Sequence, residues 1–171
     1  IHLDYGNSKK IMKEIKSNIN IIGGGLIGAA TAYSLSRLGN EVVLLEQKPK
    51  FDHKKISDKR TTAISEGTKN FLKEINIWNE IGKHAEPIKK IKIIDRNLSN
   101  KIYFDNQRRN SNLGYIVKNE FILDALYKKI QKQSNIKIFN NVSVKDIFYE
   151  GNRIVTKQNN FNVNTNLLLA S

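Results

Sequence analysis

Apolar positions in the first third of the chain alternate between two periods. From Lys16 to Ile22 the run contains Ile19, Ile21 and Ile22, and from Glu41 to Glu46 (EVVLLE) it is continuous. Both read as strands, the second of the kind buried on both faces. Between them, Leu26 to Leu38 carries helical spacing and ends on Gly39-Asn40, a common helix-terminating pair. The predicted order is therefore strand, glycine-rich loop, helix, strand.

Farther along, the pattern predicts a helix over Thr62 to Ile75, a short helical turn over Ile77 to Ile81, and a strand over Ile88 to Asp95. Short strands follow at Lys101 to Asp105 and Tyr115 to Val117, then a helix over Asn119 to Gln131. The remainder reads as strands at Ile136 to Phe139, Val142 to Tyr149, Arg153 to Thr156, Phe161 to Val163 and Leu167 to Ala170. Glu150-Gly151-Asn152 supplies a tight turn between two of them. The charged, Pro49-containing stretch 47–60 reads as a loop. The expected fold class is α/β: a Rossmann-like domain with a central parallel sheet and a β-meander.

Residues 1–15 are expected to be a disordered leader, with Met12 a natural start, and residues 16–171 to form the domain. The apolar run Leu167 to Ala170 lies at the very end of the sequence, which predicts a domain incomplete at that side.

Composition narrows the functional classes. With 39% hydrophobic and 26% charged residues, the 171-residue chain is globular in character and long enough to bury a core. Its net charge of +13 is spread along the whole length, with no nucleic-acid-reading motif, so no nucleic-acid partner is expected. Affinity for acidic lipid is the more plausible use of the charge. The absence of cysteine excludes disulfides and thiolate chemistry and suits the cytoplasm. His2, His53 and His84 show no metal-ligand spacing and are expected at the surface, so no metal site is predicted. The uncharged stretch from Ser17 to Ser36 mimics a membrane span, but three successive glycines in its middle favour a loop between buried elements.

Gly23, Gly25 and Gly28 form G-x-G-x-x-G between the first strand and the helix. The first glycine permits a tight turn, the second lets the backbone approach a diphosphate, and the third lets helix and strand pack closely. The diphosphate then meets the helix N-terminus, opened by Leu26 and Ile27, where free N–H groups and the helix dipole favour negative charge. Glu46 lies eighteen residues past Gly28, near the roughly 20 expected of the acid that takes the adenosine ribose hydroxyls, with Gln47 beside it. A carboxylate there disfavours NADP, but by itself separates neither FAD from NAD.

The string Gly23 to Glu46, with Asp58-Lys59-Arg60-Thr61-Thr62-Ala63-Ile64-Ser65 and Leu113-Gly114-Tyr115-Ile116-Val117-Lys118-Asn119, resembles the flavin-dependent aromatic-ring hydroxylases. The likeness is closest to the ubiquinone-biosynthesis group, of the polyprenyl-methoxyphenol hydroxylase kind. That resemblance implies an FAD cofactor reduced by NAD(P)H and hydroxylation of an aromatic polyprenyl phenol. It also implies a C-terminal half or a ubiquinone-biosynthesis complex as partner, and a cytoplasmic location peripheral to the inner membrane. Arg60 would lie near the flavin and its phosphates, as a bidentate donor suits, or be a solvated loop arginine. Asn119 would touch the cofactor or cap the following helix. Val144 would offer adenine a backbone contact or serve as core. Trp78 is assigned to core packing. The second flavin element, an Asp-Gly directly after Leu167 to Ala170, is missing. The cofactor carries the difficult chemistry in such enzymes, so no catalytic side chain is assigned.

Overall fold

The computed structural model describes residues 12–49, 59–94, 101–105 and 111–171. Of the expectations above, most of the leader (1–11), His2, His53 and Asp58 lie outside the described residues. The chain divides into two compact units, one of residues 1–50 and 134–171, the other of residues 51–133.

The first unit holds β1 (Lys13–Ile22), α1 (Leu26–Arg37), β2 (Val42–Leu45), β8 (Ile136–Phe139), β9 (Asp146–Glu150), β10 (Arg153–Lys157) and β11 (Phe161–Ala170). These strands form one sheet in the order β8-β2-β1-β11-β10-β9. The first four are parallel and the last three make an antiparallel meander, as expected from the sequence. All four residues of β2 are buried, and α1 buries Gly28, Ala29, Ala32, Tyr33 and Ser36, one face at helical spacing. Gly39, at φ +85°, ends that helix, and Gly151, at φ +60°, turns β9 into β10.

Three boundaries differ from the sequence pattern here. β1 begins at Lys13, so residues 13–15 belong to the sheet and not to a leader, because Lys13 to Ile15 pair with Phe161 to Val163. β11 is one ten-residue strand where two were expected, since its polar middle is buried with partners. Thr165 donates to the Asn18 carbonyl at 3.0 Å, while Asn164 donates to Glu14 at 2.9 Å and accepts from the Arg153 guanidinium. The stretch Val142 to Tyr149 is strand only from Asp146. Before that, Asn141 takes φ +57° and reverses the backbone.

The second unit holds β3 (Thr61–Ile64), α2 (Glu66–Glu74), α3 (Trp78–Ile81), β4 (Glu86–Ile88), β5 (Lys90–Ile94), β6 (Lys101–Asp105), β7 (Gly114–Lys118) and α4 (Asn119–Ile130). The helix expected from Thr62 begins only at Glu66. Thr61 to Ile64 instead pair with β7, and Ser65 caps α2 by accepting the Thr68 N–H at 3.1 Å. The single strand expected over Ile88 to Asp95 is two, in different sheets: β4 pairs with β7, and β5 with β6. Trp78 is half-buried and packs edge-on against Tyr115, with ring centres 5.1 Å apart, in keeping with a packing role. His84 is exposed and stacks on Phe121.

Candidate functional site

The glycine loop follows from the sheet beneath it. The Gly23 N–H donates to the Leu45 carbonyl at 2.8 Å, which prolongs the β1–β2 pairing by one residue. At φ +103°, Gly23 then turns the chain away from the strand, a conformation that favours glycine. Gly28 sits one helical turn into α1, where a Cβ would collide with the Gly23 carbonyl oxygen. Gly25 differs from both: it has φ −68°, is exposed, and a Cβ there would meet nothing within 4 Å. Two glycines thus serve the turn and the packing, and the third faces open space.

Helix α1 starts with bare backbone. Its N-cap, Gly25, offers no side chain, and its first turn (Leu26, Ile27, Gly28) contains no acidic residue. Amides at a helix start lack intrahelical acceptors and form the positive end of the helix dipole. Glu46 closes β2 at the same strand ends. Its N–H donates to the Phe139 carbonyl at 2.8 Å, and its own carbonyl accepts from Val142 at 3.0 Å. Its carboxylate accepts the Gly24 N–H on Oε2 at 2.6 Å and the Lys48 N–H on Oε1 at 2.8 Å.

A cavity of about 550 Å³ opens beyond the ends of β1 and β2, bounded by Gly23, Gly25, Glu46, Gln47 and Val144. Ligands in doubly wound sheets lie in such a place, outside the carboxyl ends of parallel strands. Of the sequence-predicted residues in this unit, those five line the cavity; Leu26, Ile27 and Gly28 form the helix start beside Gly25 without lining it. Val144 is half-buried and also packs against the Ile15, Val43, Leu45 and Val163 cluster, so it serves as core and as wall. Sequence reasoning missed Lys48, Val142 and Ser143 as wall residues. The Asn140-Asn141 pair after an apolar strand hinted at a reversal there, but nothing marked Ser143.

Arg60 and Asn119 belong to the second unit, where they are neighbours: the Asn119 N–H donates to the Arg60 carbonyl at 3.0 Å. The Asn119 side chain is buried and accepts from Thr62 Oγ1 at 2.6 Å. It is the first residue of α4, and Lys118 occupies the N-cap, so the capping alternative is corrected. Arg60 is exposed.

A parallel sheet with a glycine turn, an uncapped helix start and an acid at the end of β2 is the arrangement of a dinucleotide-binding fold. Residues 18–84 match the FAD dependent oxidoreductase family, DAO. The solved structure of p-nitrophenol 4-monooxygenase PnpA from Pseudomonas putida shares the fold, with a TM-score of 0.75 over 94% of this chain and 41% of that one, at 18% identity. More particularly, the chain is similar to ubiquinone-biosynthesis monooxygenases over part of their length. It is 29% identical over 154 residues to the mitochondrial ubiquinone biosynthesis monooxygenase COQ6 of Dictyostelium discoideum, covering 80% of this chain and 31% of that protein. It is 25% identical over 115 residues to the ubiquinone hydroxylase UbiL of Rhodospirillum rubrum, covering 67% of this chain and 27% of that protein. The chain therefore spans about 30% of the length of these relatives. Among the described residues, no helix is long and apolar enough to cross a membrane.

Proposed function

We propose that the chain binds the ADP half of FAD and forms part of a monooxygenase that hydroxylates an aromatic polyprenyl phenol in ubiquinone biosynthesis. One observation carries the binding role: α1 begins without a capping side chain, beside a Gly25 whose missing side chain leaves open space. The residues fit the group. The amides of Gly25, Leu26, Ile27 and Gly28 suit a diphosphate, with Gly23 supplying the turn. Glu46 and Gln47 suit the adenosine ribose, and Val144 the adenine. Arg60, for the flavin and its phosphates, and Asn119, for a contact to the cofactor, are assigned on the resemblance alone. Bound FAD would supply the redox chemistry, with NAD(P)H as electron donor; the residues of this chain bind and orient it. The ring substrate and the pathway are supported by the similar proteins, and a polyprenyl tail would draw the enzyme to a membrane surface.

The binding role is tested by titrating FAD and ADP into the chain and into Gly25→Val. Affinity should fall at least about tenfold in the variant, since a branched side chain would occupy the diphosphate's place. Undiminished binding would remove the site from consideration. The reaction is tested by joining the chain to the remainder of a ubiquinone-biosynthesis monooxygenase and following NAD(P)H oxidation. A hybrid that holds FAD yet never oxidises NAD(P)H in the presence of a polyprenyl phenol would count against it. Salt-sensitive retention on anionic vesicles is expected if the membrane placement is right, and no retention would exclude it.

A further inference from the structure

Glu46 makes two contacts that need no nucleotide. Oε2 accepts the Gly24 N–H at 2.6 Å and Oε1 accepts the Lys48 N–H at 2.8 Å. Gly24 is buried, and the turn at Gly23 aims its N–H toward the end of β2. The residue before it is held by backbone alone, through the Gly23 N–H on the Leu45 carbonyl at 2.8 Å. Glu46 is itself fixed on both sides of its backbone by Phe139 and Val142.

From these contacts we propose that Glu46 is a positioning residue for the glycine loop: its carboxylate latches Gly24 and thereby sets the place of the amides that follow. The inference rests on the nucleotide-binding reading and adds a second duty to the acid assigned to the ribose. The chemistry distinguishes the duties. A carboxylate presents an acceptor at each oxygen, and both here face N–H donors; an amide presents one acceptor and one donor. Glu46→Gln therefore keeps a hydrogen-bonding group for a ribose hydroxyl but sets its NH₂ against either the Gly24 or the Lys48 N–H. Charged hydrogen bonds are the stronger kind, and a donor left facing a donor loses its partner outright.

The test compares ADP with an ADP analogue whose ribose hydroxyls are replaced by hydrogen, by calorimetry on the chain and on Glu46→Gln. If Glu46 acts only through the ribose, the substitution leaves affinity for the analogue unchanged, or raises it by removing a negative charge. The latch predicts that affinity for the analogue falls as well, by about tenfold. Amide hydrogen exchange supplies a readout that needs no variant. In the ligand-free chain the Gly24 amide should be protected relative to Gly25 and Leu26, and this protection should weaken in Glu46→Gln and disappear in Glu46→Asp, whose shorter arm withdraws the carboxylate. Equal exchange at Gly24 and Gly25, or an effect of Glu46→Gln confined to ADP, would overturn the latch. Protection at Gly24 with no binding of either nucleotide would uphold it and overturn the nucleotide reading instead.

Discussion

Gly25 and Gly28 stand three residues apart in one motif, yet the structure gives them opposite responses to an added side chain. At Gly28 a methyl carbon would overlap the Gly23 carbonyl oxygen and come within 2.5 Å of Ser171 Oγ. The hydroxyl can rotate, but the carbonyl is held, because it shares a peptide plane with the Gly24 N–H, which is tied to Glu46. Relief requires α1 to lift from β1, and overpacking of this kind costs about 1–3 kcal/mol. At Gly25 the backbone is extended (φ −68°, ψ −168°), which valine adopts readily, and open space receives the side chain. As valine is a poorer N-cap than glycine, its cost to the ligand-free fold should stay within about 1 kcal/mol. A domain of this size shifts its Tm by roughly 2–4 °C per kcal/mol. Gly28→Ala should therefore lower the ligand-free Tm by roughly 2–12 °C, and Gly25→Val by no more than about 4 °C. Circular dichroism melts without ligand, followed by ADP calorimetry on both variants, separate the roles. A Gly28→Ala chain melting with the parent, or a Gly25→Val chain that unfolds, would refute the division of labour.

Three further outcomes follow from individual contacts. Ser65→Ala removes the α2 cap and should cost about 1 kcal/mol, seen as a Tm drop of roughly 2–4 °C; no drop would mean the cap contributes nothing. Arg153→Met strips the Ser17 and Asn164 carbonyls of a partner and should cost about 1–3 kcal/mol in urea unfolding, whereas an unchanged midpoint would assign the guanidinium to solvent. The Tyr115 phenol is held below its ordinary value of 10.0, first by its hydrogen bond to Lys69 and next by that to Asn112, while Lys69 is raised above 10.5, chiefly by Glu66. A lowered acid stabilises the fold above its unfolded value, and that contribution is lost as pH falls through the folded value. Stability of the parent relative to Tyr115→Phe should thus rise with pH as 10.0 is approached from below, before the Lys69 contribution fades above 10.5. An ultraviolet titration showing no phenol below the usual range would contradict it.

The parts legible in the sequence are those whose cause is local. The loop between β1 and α1 needs glycine for reasons confined to a few residues, and the acid at the end of β2 is placed by strand length, so spacing alone located both. The hairpin at Gly151 was legible for the same reason. What was misread depends on distant partners. Lys13 to Ile15 are strand because Phe161 to Val163 lie beside them, across almost the whole chain. Asn164 and Thr165 look like a break in β11, but Glu14, Arg153 and Asn18 satisfy them. Thr62 to Ile64 lie inside a helical periodicity completed by Phe71, Leu72 and Ile75, yet they are strand because β7 lies beside them.

The wall of the cavity shows the same division at the scale of single side chains. Glu46 was found from its distance to the glycines, whereas Val142 and Ser143 owe their place to a backbone reversal at Asn141, whose N–H reaches the Lys48 carbonyl at 3.0 Å. That bond, the Val142 N–H on Glu46 and the Glu46 N–H on Phe139 stitch the two segments into one rim. The acid is therefore held by three kinds of partner at once: the sheet, the returning segment and the glycine loop. A side chain so held can meet a ribose at little entropic cost, because its rotamer is already chosen before the ligand arrives. The placement of Glu46 thus joins the fold to the proposed binding role: the contacts that close the strand end also hold the carboxylate still.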